Sequence, residues 1–140
     1  MLIKQVSVFV ENKTGRLSAI LNILKNNKVN IRALSIADTH DFGILRLITD
    51  NPENAFNALK NEDCTVTLND LIAVCIGDEP GCLAGIVDLL AKNNINIEYM
   101  YDFNSHSTEF ACIVLRVTNN EKAIEIFNAS NIRLLEIGDI

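Results

Sequence analysis

Apolar and polar positions alternate with a period of two over Gln5–Val10, with Val6, Val8 and Val10 on one side, which predicts a strand. Asn12–Gly15 reads as a polar turn. Leu17, Ile20, Leu21 and Leu24 then recur at three- and four-residue steps, predicting a helix with one apolar stripe that Asn26-Asn27 ends. Val29–Ala37 is strand-like, with Ile31, Ala33 and Ser35 on one face and Arg32, Leu34 and Ile36 on the other. Asp38–Asp41 is a hairpin turn, and Gly43–Thr49 a third strand. Asp50-Asn51-Pro52 opens a second helix, because Asn caps well and Pro suits the first turn; Ala55, Phe56 and Leu59 face inward. Thr65–Leu68 is a short fourth strand.

The same order then returns. Strands are expected at Ile72–Ile76, Ile97–Phe103, Phe110–Val117 and Arg133–Ile137, with a turn at Asp78–Gly81. The helices carry Leu83, Ile86, Val87 and Leu90, and then Ala123, Ile124 and Phe127. The peptide from Val8 to Ile20 recurs as Val74 to Ile86, and Asn30-Ile31 as Asn96-Ile97, at one constant offset. Matching Arg46 to Arg116 makes the second hairpin four residues longer than the first. Each half is therefore expected to be βαββαβ, giving an α+β chain of two ferredoxin-like domains, 1–69 and 70–140, with antiparallel four-stranded sheets and helices on one face. Only Asn69–Leu71 separates the halves.

Halves this short hold marginal cores, which predicts buried interfaces and a dimer. The net charge of −6 and the lack of a basic run exclude nucleic acid as a partner. Cys64, Cys75, Cys82 and Cys112 form no CxxC pair and are expected to be reduced, mostly buried thiols. His40 and His106 fall in hairpins without further ligands at fixed spacing, so no metal and no cofactor is expected. The start of the chain reads as a strand rather than a leader, and no apolar run approaches the ~18 residues of a span; a cytoplasmic location, away from membranes, is the expectation.

Asp78-Glu79-Pro80-Gly81-Cys82-Leu83 followed by Asn96-Ile97 resembles the ACT-domain signature, an Asp/Asn-x-Pro-Gly-x-Leu turn, a helix, and an Asn-Ile entry to the next strand. Asn12-Lys13-Thr14-Gly15-Arg16-Leu17 with Asn30-Ile31 is a first copy, with Asn in place of Asp and Thr in place of Pro. The resemblance covers nearly the whole chain, and is closer to stand-alone proteins made of two ACT domains. It implies a regulatory protein without catalysis that binds a free amino acid where domains pair side by side, often through their second strands.

A free amino acid presents an anion and a cation. Helix N-termini favour the carboxylate, here at Gly15-Arg16-Leu17 and Gly81-Cys82-Leu83, and glycine allows close approach. Asp78 offers the ammonium a charged acceptor and Asn12 a neutral one. Thr14 and Pro80 complete the turns. Asn12 and Asp78 equally fit an ordinary helix-opening turn. Arg16 faces the positive end of a helix dipole, which suits either a bound carboxylate or a solvent-exposed side chain. Ser35 and Ile36 of the second strand, and Tyr99 and Tyr101 in the second half, are the residues expected to face these turns from a neighbouring domain; simple β-packing explains the tyrosines as well. Arg46 and Arg116 read as sheet-face residues that snorkel or pair with carboxylates.

Rival functions fare worse on residues. The third strands lack the aromatic run of an RNA-binding module, and no nucleophile constellation or phosphate loop is present. The competing reading is a ligand-independent interaction subunit that docks on a metabolic enzyme.

Overall fold

Val6, Val8 and Val10 are buried together with Leu45 and Leu47 of the third strand, and with Ile20, Leu24, Ala55 and Leu59 from two helices. That single apolar cluster is what the period-two and helical patterns converge on. The computed structural model describes residues 2–38, 40–103 and 110–139; Thr39 of the expected first hairpin and His106 of the second lie outside them. The elements run β1 (Leu2–Glu11), α1 (Arg16–Asn26), β2 (Ile31–Asp38), β3 (Phe42–Thr49), α2 (Pro52–Asn61), β4 (Val66–Gly77), α3 (Cys82–Lys92), β5 (Ile97–Phe103), β6 (Phe110–Val117), α4 (Asn120–Ala129) and β7 (Arg133–Leu134). They give two βαββαβ units with antiparallel pairing, the expected fold class.

The chain divides into a unit of Lys4–Asn69 and a unit of Asp70–Ile140 together with Met1–Ile3. In the first, β1 lies between β3 and the start of β4, and β2 is the edge strand beyond β3. In the second, β4 lies between β6 and β7, and β5 is the edge. The second core repeats the first, with Ile72, Val74, Ile86, Leu90, Leu115, Ala123 and Phe127 buried and Leu2 packed against them. Asn51 caps α2 by accepting from Asn54 N at 3.0 Å, and Asn119 caps α4 by accepting from Lys122 N at the same distance.

Four expectations need correction. The fourth strand and the fifth are one strand, β4, which runs through Asn69–Leu71 because nothing there breaks an extended backbone. Bulges lie between Ile31 and Ala33 and between Ile97 and Tyr99, so Ile31 joins the helix-side core rather than the face of Ala33 and Ser35. Ser7 pairs with Arg46 where Ala73 pairs with Val114, so Arg46 is the counterpart of Val114, not Arg116, and the second hairpin is longer by two residues rather than four. The last strand stops at Leu134, because Glu136 N donates to Asp139 Oδ2 and Asp139 N to the Glu136 carbonyl, closing a 3-10 turn over Ile137–Asp139.

Cys75 and Cys112 are register partners on β4 and β6, both buried, with their Sγ atoms 2.8 Å apart. Burial, then the hydrogen bond with Cys112, pushes the Cys75 thiol up to about 12. Cys64 and Cys82 are half-buried. Arg116 Nε lies 3.2 Å from Glu98 Oε2 and donates from its guanidinium to the Asp70 carbonyl, the carboxylate-paired sheet-face role expected of it.

Candidate functional site

Both β–α turns are built alike. Gly15 has φ 89° and ψ −11°, Gly81 φ 91° and ψ −13°, a left-handed conformation that glycine adopts without a Cβ penalty. The N-cap residues are these glycines themselves, and among the described residues neither helix start receives a side-chain cap. The turns close on their own backbone instead: Arg16 N donates to the Lys13 carbonyl and Cys82 N to the Glu79 carbonyl, each at 3.2 Å. Leu17 and Ser18, and likewise Leu83 and Ala84, are left with amides that have no backbone acceptor among the described residues. The anion-favouring end of each helix is thus open, although the Arg16 and Cys82 amides are already spent.

In the first unit the turn borders a shallow cavity of about 160 Å³. Asn12, Lys13 and Leu17 line it from the turn, and Ile36, Asp38 and Gly43 from the neighbouring hairpin. Asn12, Leu17 and Ile36, singled out from sequence, are brought together there. Thr14, Gly15 and Arg16 sit beside it, exposed. Ser35 is register partner of Arg46, on the sheet face away from the helices, and so is not in this cavity. The sequence pattern marks Asp38 only as a turn residue; its place at the end of β2, level with Gly43 and Val10, is visible only once strand register is known. It supplies a carboxylate to the cavity that Asn12 does not.

In the second unit Asp78, Pro80, Gly81 and Leu83 are exposed and Cys82 is half-buried, with its Sγ against Gly77. Tyr99 and Tyr101 share one face of β5 as expected, paired with Arg116 and Val114. Phe103, paired with Cys112, rather than either tyrosine, is level with the turn end of β4. Among the described residues no group of three or more His, Cys, Asp or Glu could hold a metal ion.

A turn with a left-handed glycine that leads into a helix, with an edge strand in the same unit, is thus present twice in a βαββαβ frame. The ACT domain pair family matches residues 1–140. The chain belongs to the ACT domain pair family. Its fold superposes on the crystal structure of protein BT0572 from Bacteroides thetaiotaomicron with a TM-score of 0.93 and 37% identity, over 99% of this chain and 95% of that one. The ligand-free regulatory subunit of aspartate kinase from Thermus thermophilus shares the fold at a TM-score of 0.65 and 14% identity, over 92% and 93% of the two chains. Aspartate kinase from Synechocystis shares it at 0.58 and 17% identity, over 91% of this chain but 24% of that enzyme. No curated protein matches the chain. The ACT domain pair is a regulatory module, and the chain is two such domains in tandem.

Proposed function

We propose that this tandem ACT protein is a non-catalytic sensor that binds a free amino acid at seams between paired domains, acts as a homodimer and regulates a metabolic enzyme in the cytoplasm. One observation carries the reading. The cavity at Asn12, Leu17, Ile36 and Asp38 is shallow and open, and beside it the edge strand β2 leaves Leu34 51% and Ile36 46% exposed. Apolar side chains on an unpaired strand edge invite a second strand. A domain pairing there would cover them and close the cavity, and the ligand would be held by contributions from both sides.

The ligand's carboxylate would meet the bare amides of Leu17 and Ser18, or of Leu83 and Ala84. Its ammonium would meet Asp38 and Asn12, or Asp78. Ser35, Tyr99 and Tyr101 would take part only as residues presented by a neighbouring domain. The regulatory subunit and the aspartate kinases that share this fold support the assignment of a regulatory role, though not its target.

Thermal-shift screening of the twenty amino acids, with light scattering for the oligomer, tests the proposal. A ligand that binds only the native state raises Tm. One or a few amino acids should do so, and the protein should run as a dimer. A flat response to all twenty at millimolar concentration would leave only the ligand-independent docking role.

A further inference from the structure

The first unit holds a second, larger cavity of about 310 Å³ on the other side of α1, where that helix meets the α2–β4 connection. Ile20 and Ile23 form one wall, and Phe9 and Phe42, 54% and 49% exposed, stand at another. Phe9 and Phe42 are thus half-exposed beside an apolar wall, around a space of the size that holds small ligands.

Charge is distributed around this wall with both signs. Arg16 lines the cavity, with Nη2 4.0 Å from Glu11 Oε1, while Lys13 holds the other Glu11 oxygen at 3.2 Å. Glu62 and Asp63 line it too, and neither has an ion-pair partner among the described residues. Their field is felt locally: burial, then Glu62 and Asp63, pushes the Cys64 thiol up. A backbone donor is present as well. Asn12 N donates toward β3, to the Asp41 carbonyl at 3.1 Å, whereas Phe9 N donates to the Thr65 carbonyl on the opposite side at 3.0 Å. Strand alternation therefore directs the Glu11 N–H to the side of Phe9, beyond the start of β4.

The internal repeat separates what the fold requires from what it does not. Most of the apolar frame is kept: Ile20, Ile23 and Phe42 correspond to Ile86, Leu89 and Phe110, while Phe9 corresponds to Cys75. The charges are not: Glu11, Arg16, Glu62 and Asp63 correspond to Gly77, Cys82, Ser130 and Asn131. Asp63 and Asn131 even share a positive φ, 60° and 57°, so the backbone does not demand the carboxylate.

We propose that this cavity is a binding site, complete within the first unit, for a free amino acid with an apolar side chain. Arg16 and the Glu11 amide take the carboxylate, Glu62 and Asp63 take the ammonium, and Phe9, Phe42, Ile20 and Ile23 receive the side chain. The inference rests on the reading of the protein as an amino-acid sensor and adds to it a second site, apart from the seams.

Calorimetry on the full chain tests it, with L-leucine and L-phenylalanine as probes beside their decarboxylated amines and deaminated acids. The zwitterions should bind and the single-charge analogues should bind at least tenfold more weakly. The double variant Glu62→Gln/Asp63→Asn, isosteric and at the surface, should weaken binding tenfold or more with Tm unchanged. Glu53→Gln, an exposed carboxylate in the first turn of α2 that lines neither cavity, should not affect it. If leucine and phenylalanine bind the double variant as they bind the parent, or their amines bind equally well, the cavity assignment fails. Loss on Asn12→Ala or Asp78→Ala alone would place the ligand at the seams instead. Silence from both probes, with another amino acid raising Tm, would overturn this site and leave the seam reading standing.

Discussion

Replacing glycine by alanine should have opposite effects at Gly81 and at Gly85, four residues apart. At Gly81 a new Cβ would meet nothing within 4 Å, so no clash enters and only the backbone conformation, φ 91°, is at issue. An L-residue held in the left-handed region costs about 1–2 kcal/mol. Restricting the unfolded chain returns about 0.4–1 kcal/mol. The net for Gly81→Ala is a loss of about 1 kcal/mol, and the same holds for Gly15→Ala at φ 89°. Gly85 is inside α3, exposed, and its Cβ would also meet nothing within 4 Å. There alanine should gain about 0.8–1 kcal/mol from helix propensity. Urea unfolding reads the difference directly. With m of about 1–3 kcal/mol/M, Gly81→Ala should lower the midpoint by about 0.3–1 M and Gly85→Ala should raise it by a similar amount. Asn at position 81 should cost less than Ala, since its side chain tolerates this region. Midpoints that move the same way for Gly81→Ala and Gly85→Ala would refute the backbone argument, as would no change at Gly81.

Other expectations are as direct. Leu59 is fully buried in the first core, so Leu59→Ala should cost about 2–5 kcal/mol by denaturant titration. Asn51→Ala removes the α2 cap and should cost about 1 kcal/mol. The Cys75 thiol, raised from 9.0 to about 12, is neutral in the folded state where the unfolded chain has ionised it. Unfolding then releases a proton between these values, so stability falls as pH rises from 9 toward 12, and Cys75→Ala should flatten that fall in pH-dependent melts. Leu34→Asp on the edge strand should convert the proposed dimer to a monomer by light scattering without lowering Tm of the isolated fold, because Leu34 is half-exposed in the single chain.

The duplicated frame was legible in the chain because the apolar periods, the Asn-Pro helix start and the glycine turns are local signals that agree with one another. Asn51 and Leu59 do what their neighbours in sequence dictate. What was hidden depends on register. A bulge adds one residue at Arg32 and reverses the faces on either side, and no residue type marks it. Asn69–Leu71 is the joint between the repeats in sequence, yet a strand passes through it, since polar residues alone do not bend an extended backbone. At the site, the turn residues were visible as turn residues, but Asp38, Glu62 and Asp63 were not visible as liners, because sheet pairing and helix packing bring them from other parts of the chain. The contact between Cys75 and Cys112 likewise appears only when β4 and β6 are aligned.

That Leu2 and Ile3 belong with the unit formed by Asp70–Ile140, while Lys4 onward belongs to the other, has a consequence for how the protein is made. Leu2 and Ile3 are synthesised before the partners they pack with, which come only after Asn69. A cut between Asn69 and Asp70 would strand Leu2 on the wrong fragment and leave the C-terminal piece with a gap in its hydrophobic interior. The gene repeats itself, but the point where the repeat begins does not coincide with the division between the two units of its product.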